Sequence, residues 1–189
     1  MLTPYERFKK HVADWRDCRK CILHNQRSRI VLARGKLPCD ILFVGDAPGD
    51  SEDVLGLPFI GPSGKLLDDM IARAFPIEPA ARIAFTNLVA CYSREAKTTG
   101  DHQPPREAIK ACRDRLAQLC NIAQPKLIIR VGQLATTNFN WGWADGTTVK
   151  VADITHPATI LRANQVQQSM MIKRVQITLF NAYVETFNA

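Results

Sequence analysis

Three short stretches of this chain hold the groups best suited to binding and chemistry. The first is Gly45-Asp46-Ala47-Pro48-Gly49, followed by Asp50, Glu52 and Asp53 and by a second glycine-framed segment from Gly56 to Gly64. Its glycines allow positive φ and let a ligand approach the backbone closely. Gly61-Pro62-Ser63-Gly64 opens a helical stretch at Lys65. Free N–H groups at such a helix start, with a serine hydroxyl beside them, form a phosphate site. Phe59 lies between Pro58 and Ile60 in the same loop, either as a core residue or as a flat face on which a base could stack. The second stretch is Thr86-Asn87, and the third is Thr155-His156-Pro157. Each ends an apolar run, so the polar groups are expected to converge on one edge of a sheet.

The six cysteines (18, 21, 39, 91, 112 and 120) are the next chemical resource. In an intracellular chain of this size they argue against a disulfide framework, leaving metal binding and core packing. The chain is expected to be intracellular and soluble. Met1-Leu2-Thr3-Pro4-Tyr5-Glu6 lacks the apolar run of a secretion signal. No apolar stretch approaches the roughly 18 residues that span a bilayer, so no membrane partner is expected. The net charge of +7 is concentrated: residues 1–39 hold ten Lys/Arg against three acids, and the remainder is neutral. A basic arm on a neutral body fits a polyanion partner, or a solvated basic surface helix.

Elements must hold these groups in place. Thr3-Pro4-Tyr5-Glu6 reads as a capping box, with Tyr5, Phe8, Val12 and Trp15 at helical spacing, so a basic helix is predicted over about 3–17. Asp40–Gly45 is almost wholly apolar, as a strand buried on both faces should be. Further strands are predicted at 82–89, 126–131 and 148–154. Between and after them lie helical stretches at 65–75, at 106–120 (Ile109, Cys112, Leu116, Leu119 and Cys120 on one face), from about Gln133, and at 170–187. Alternating strands and helices imply an α/β protein with a mainly parallel sheet, its chemistry beyond the C-terminal strand ends. At 189 residues, the chain is expected to form a single domain spanning 1–189.

Taken together, these motifs resemble the iron–sulfur (family four) uracil-DNA glycosylases. The resemblance rests on Gly-Asp-Ala-Pro-Gly-x-x-Glu-Asp, Gly-x-Pro-Phe-Ile-Gly-x-x-Gly, Thr86-Asn87, and His156-Pro157 with Leu161-Arg162. Four cysteines agree in order and context, and the likeness covers about residues 3 to 187. It implies a three-layer α/β/α fold on a four-stranded parallel sheet. It also implies a [4Fe–4S] cluster on Cys18, Cys21, Cys91 and Cys112, with zinc as the alternative on the same thiolates. The cluster would tie the basic helix to the domain. Cys39 and Cys120 have no such match and read as core residues.

The implied reaction is hydrolysis of the N-glycosidic bond of deoxyuridine in DNA, after the base has left the stack. In that resemblance Phe59 stacks on uracil, Asp46 and Ala47 lie beside it, Asn87 reads its N3–H and O4, and His156 donates to O2. Asp46, Glu52 and Asp53 are the nearby carboxylates for the water. Gly61, Ser63 and Gly64 hold a phosphate, Ile160 or Leu161 fills the gap in the duplex, and Arg162 lies near a phosphate. The implied partner is uracil-containing DNA, single- or double-stranded, bound by a monomer. Two departures qualify it. The family's first motif usually has glutamate where this chain has Asp46, consistent with weaker activity or a DNA-binding protein on the same fold. The segment between Cys91 and Cys112 is long and contains His102, near where a related branch traps the abasic sugar covalently, but that branch's Lys-Arg-Arg-Ile-His is absent.

Overall fold

The computed structural model describes residues 2–75, 81–94, 103–140 and 148–187. His102, with residues 95–101 of the segment considered for covalent trapping, lies outside the described residues. The central sheet is built from β1 (Arg34–Gly35), β2 (Ile41–Gly45), β3 (Ile83–Asn87), β4 (Leu127–Val131) and β5 (Lys150–Ile154) in the order β1-β3-β2-β4-β5. The four expected strands pair in parallel. The sequence reading of a four-stranded sheet is corrected by β1, which pairs antiparallel with β3 through Arg34–Phe85. Two residues are too short to show a period. A Cβ at Gly35 (φ +103°) would collide with the Ile83 carbonyl, so the close pairing requires glycine.

Alternation along the strands builds the three layers. Leu42, Val44, Ala84 and Ile128 face α4 (Arg106–Ala123), packing with Cys112, Leu116 and Cys120. Ile41, Phe43, Phe85 and Ile129 face the opposite side. There they meet α3 (Pro62–Ala74), α6 (Pro157–Leu161) and α7 (Gln165–Phe187) through Leu67, Met70, Ile160 and Leu179. The last helix begins five residues earlier than predicted, because Asn164 and Gln167 form reciprocal cap bonds of 3.0 and 3.4 Å. Two short helices complete the site edge: α2 (Asp50–Leu55), which the glycine-rich reading did not anticipate, and α5 (Gln133–Asn138).

The basic helix α1 (Pro4–Trp15) has the predicted capping box at Thr3 and Glu6. It lies on α4. The Trp15 indole donates to the Gln118 amide oxygen at 2.7 Å, and Arg7 donates to the Asn121 carbonyl at 2.9 Å. His11 is buried in this contact and neither ring nitrogen has a hydrogen-bond partner. Gln118 interacts with the ring but is engaged by Trp15. Burial, and then the positive charge of Arg115, push the His11 pKa down to about 4. An unfolded histidine takes its proton near 6.5, so this site loses stability as the pH falls from about 6.5 to about 4. His11→Leu removes both orphaned nitrogens and should raise Tm at neutral pH by about 2–4 °C, equivalent to about 1 kcal/mol. The gain should widen at pH 5, as read by thermal melts at the two pH values. No helix among the described residues is long and apolar enough to cross a membrane.

Candidate functional site

Four parallel strands end on the same side, and a cleft of about 420 Å³ opens there. It takes Asp46 from beyond β2, Asn87 from the end of β3, Gln133 from beyond β4 and His156 from beyond β5. Ala47, Phe59, Ser63 and Arg162 also line it. Residues that the sequence could only place at separate strand exits thus share one cavity. A larger cavity of about 670 Å³ is bordered by Leu23, Gln103 and Ile109.

Gly45 is the floor. A Cβ there would lie 2.5 Å from both the Asn87 Oδ1 and the Phe59 Cζ, so the missing side chain is what lets the amide and the ring come together. Asn87 is buried, and its side-chain amide has no hydrogen-bond partner among the described residues. Phe59 has φ +56°, an unusual conformation for a bulky residue. Its ring packs on Phe85 with centroids 5.7 Å apart. Arg34 holds this arrangement from behind. Its guanidinium stacks 3.9 Å from the Phe85 centroid, while Nε donates to the Pro58 carbonyl at 2.9 Å and Nη2 to Asp68 at 2.8 Å. Gly64 lets α3 approach closely, since a Cβ there would overlap the Phe59 backbone. Arg34 carried no signal in the sequence, because its importance comes from the edge strand that places it.

His156 caps α6. Its Nδ1 accepts the Ala158 N–H at 3.1 Å, which sets the neutral tautomer with the proton on Nε2. Asp46 lies close by. At Gly132 (φ +97°) a Cβ would come within 3.1 Å of His156 Cδ2 and 3.2 Å of Asp46 Oδ2. The other oxygen, Oδ1, accepts the Ala135 N–H at 2.9 Å in the first turn of α5. Gly132, the N-cap of α5, offers no side chain, so a residue from another strand supplies the cap. Burial raises the Asp46 pKa to about 6, against the lowering effect of the Ala135 bond.

The two other acids are both engaged by backbone N–H groups. Glu52 accepts from Gly49 N at 2.9 Å, Ile60 N at 3.1 Å and Gly61 N at 2.9 Å, joining the two glycine loops. Asp53 accepts from Ser28 N at 2.8 Å and is approached by Arg94 at 3.5 Å. Two expected DNA contacts change accordingly. The Gly61 N–H is committed to Glu52, leaving the helix start at Ser63 and Gly64. Ile160 is wholly buried between α6 and the core, because a helix immediately after His156 turns it inward. Leu161 is 44% exposed and remains available.

Cys39, Cys91, Cys112 and Cys120 share the apolar layer under α4, and Cys21 packs against it. Cys18, Cys21, Cys91 and Cys112 interact electrostatically with one another: Cys21 with Cys18 and Cys112, and Cys91 with Cys21 and Cys112. Arg27 Nη1 donates to Cys91 Sγ at 3.1 Å, and its Nη2 to the Cys18 carbonyl at 2.8 Å. Among the described residues no three His, Cys, Asp or Glu side chains are grouped to hold a single metal ion. Burial pushes the Cys91 thiol up to about 11 and those of Cys39 and Cys120 up to about 12. Cys39 and Cys120 sit in the apolar layer under α4, as core residues do.

A cleft at the carboxyl edge of a parallel sheet, lined by an aromatic ring, a buried amide and a helix-capping histidine, defines an α/β protein with its candidate ligand site at the strand ends. The Uracil DNA glycosylase superfamily profile matches residues 32–179. A type-4 uracil-DNA glycosylase from Sulfurisphaera tokodaii is 34% identical over 135 residues, covering 71% of this chain and 57% of its own length. One from Archaeoglobus fulgidus is 31% identical over 170 residues, covering 80% of this chain and 81% of its own. One from Pyrobaculum aerophilum is 34% identical over 120 residues, covering 64% and 58%. The chain belongs to the type-4 uracil-DNA glycosylase family. Its match spans less than two thirds of the Sulfurisphaera and Pyrobaculum proteins.

Proposed function

We propose that this chain is an intracellular uracil-DNA glycosylase that flips deoxyuridine out of DNA and hydrolyses its N-glycosidic bond. The observation that carries this reading is the meeting of Asn87, Phe59, His156 and Asp46 in one cleft. Uracil stacks on Phe59. The Asn87 amide accepts from N3–H and donates to O4; cytosine presents the reverse pattern and is rejected. As the C1′–N1 bond breaks, its electron pair leaves with the base and negative charge grows on O2. His156 Nε2–H donates to that oxygen. Water adds at C1′, and its proton passes to solvent or to Asp46, whose Oδ2 and the His156 ring both border Gly132. Glu52, with three backbone donors already, positions the loops.

DNA is held by the start of α3, where Ser63 and Gly64 present backbone N–H groups and a hydroxyl to a phosphate. Leu161 enters the gap left by the flipped base, and Arg162 lies near the backbone. Every group required comes from one copy of the chain, which we take to act as a monomer spanning one domain. The donor set of Cys18, Cys21, Cys91 and Cys112, with Arg27 beside it, fits an anionic [4Fe–4S] cluster. When bound, that cluster supplies structural cross-linking, since hydrolysis transfers no electrons. The chain's own contribution is to hold the loop at Cys18–Cys21 against α4.

The test is incubation with labelled uracil-containing oligonucleotides, single- and double-stranded, followed by alkaline cleavage. Abasic-site formation at uracil and not at cytosine is expected. Tight binding of uracil-containing DNA without strand scission would identify a binding protein. A product that survives denaturing gel electrophoresis attached to the protein would identify covalent trapping.

A further inference from the structure

Arg115 has no task in the reading above, yet it is fully buried. A guanidinium stays charged, and a buried cation is costly unless it is paired. Among the described residues no carboxylate pairs with it. Its fork closes on three consecutive residues at the exit of β3. Nη1 donates to Thr86 Oγ1 at 2.9 Å, and Nη2 to the carbonyls of Asn87 at 2.5 Å and Leu88 at 2.8 Å. Its Nε has no partner. Burial opposes its charge, and the groups that favour it are sulfurs: Cys112 first, then Cys120 and Cys91. Cys112 precedes it by about one turn of α4, and Cys91 lies three residues beyond Leu88.

We propose that Arg115 is the inner counter-ion of the Cys18/Cys21/Cys91/Cys112 centre and, through the same planar fork, the residue that positions Asn87 for reading the base. The inference rests on the glycosylase reading and deepens it. A neutral thiol offsets a buried guanidinium poorly, whereas thiolates holding an anionic centre offset it well. Arg27 meets Cys91 with its other guanidinium arm on the Cys18 carbonyl, so the centre is flanked by two cations. Arg115 differs from Arg27 in what else it holds. It binds the backbone of the strand end whose side chain reads the base, so it fixes where the Asn87 amide stands. Two hydrogen bonds to one uracil edge tolerate little displacement. The cysteine centre is therefore joined to base recognition as well as to the N-terminal helix.

The experiment uses the protein with its centre intact. Arg115→Lys keeps a positive charge but cannot reach three acceptors at once. It should fold, retain its visible absorbance, and bind free uracil at least tenfold more weakly, with unchanged affinity for uracil-free DNA. Arg115→Met removes the charge and should lose its visible absorbance under a chelator at least tenfold faster than the parent. Wild-type uracil affinity in Arg115→Lys overturns the positioning role. A wild-type rate of absorbance loss in folded Arg115→Met overturns the counter-ion role, and if Arg115→Met does not fold, Arg115→Gln takes its place in the same assay. Parental protein inactive on uracil DNA would refute the glycosylase reading instead, so the two failures are distinct.

Discussion

Replacing His156 with alanine should lower kcat for uracil excision by about 10²–10³, the usual effect of losing one preorganised donor at a developing anion. The imidazole has two duties that can be separated. Its Nδ1 caps α6 through the Ala158 N–H, and loss of a cap costs about 1 kcal/mol, or about 2–4 °C in Tm for a chain of this size. In the proposed reaction its Nε2–H serves the departing base. Asparagine is a good N-cap but too short to reach the same point in the cleft. His156→Asn should therefore recover most of the stability lost in His156→Ala and little of the activity. Single-turnover rates on a uracil oligonucleotide, set beside thermal melts, measure both. Equal recovery of rate and stability by asparagine would show that the ring acts only through the helix.

Asp46→Asn should push activity and stability in opposite directions. The carboxyl has a folded-state pKa of about 6 because it is buried, whereas an unfolded aspartate titrates near 3.9. Between these values the folded state holds the proton more tightly, so stability falls as the pH rises from about 4 to about 6 and stays lower above that. An asparagine Oδ1 can still accept from Ala135 and has no charge to desolvate. At pH 8 the variant should be more stable by about 2 kcal/mol, with the gain vanishing near pH 4. If the ionised carboxylate assists the water, parental kcat/KM should rise through pH 6 and level off. The variant should then be roughly 10²-fold slower at pH 8 and lack that limb. A variant with the parental pH profile would remove Asp46 from the chemistry, while the stability difference would still report its burial. Glutamate is usual at this position in the family. Asp46 keeps the acid but turns one oxygen to the α5 start, an arrangement that only the fold reveals.

The centre of the sheet was legible because its strands are short, mostly buried apolar runs, as at Ile41–Gly45. The first helix was legible from its Thr3/Glu6 box. The site was legible as polar residues following those runs, and the cleft gathers Asp46, Asn87 and His156 at the strand ends. What escaped depended on partners distant in sequence. Arg34 gains its role from a two-residue edge strand with no periodicity. Arg115 left one trace: a charged residue on the otherwise apolar α4 face that holds Cys112, Leu116 and Leu119. Spacing could not separate Ile160 from Leu161 as the residue facing DNA, because a five-residue helix beginning at Pro157 is too short to show which side faces inward. The three amide donors that Glu52 holds, in two loops, cannot be inferred from spacing.

Those donors have a geometric consequence. Gly49 belongs to the first glycine-framed loop, and Ile60 and Gly61 to the second, and a single carboxylate grips both. The spacing between these two loops at the cleft is thus gauged by the length of one side chain. An enzyme of this design would resize its doorway by changing a spacer, with the residues that touch the base left as they are.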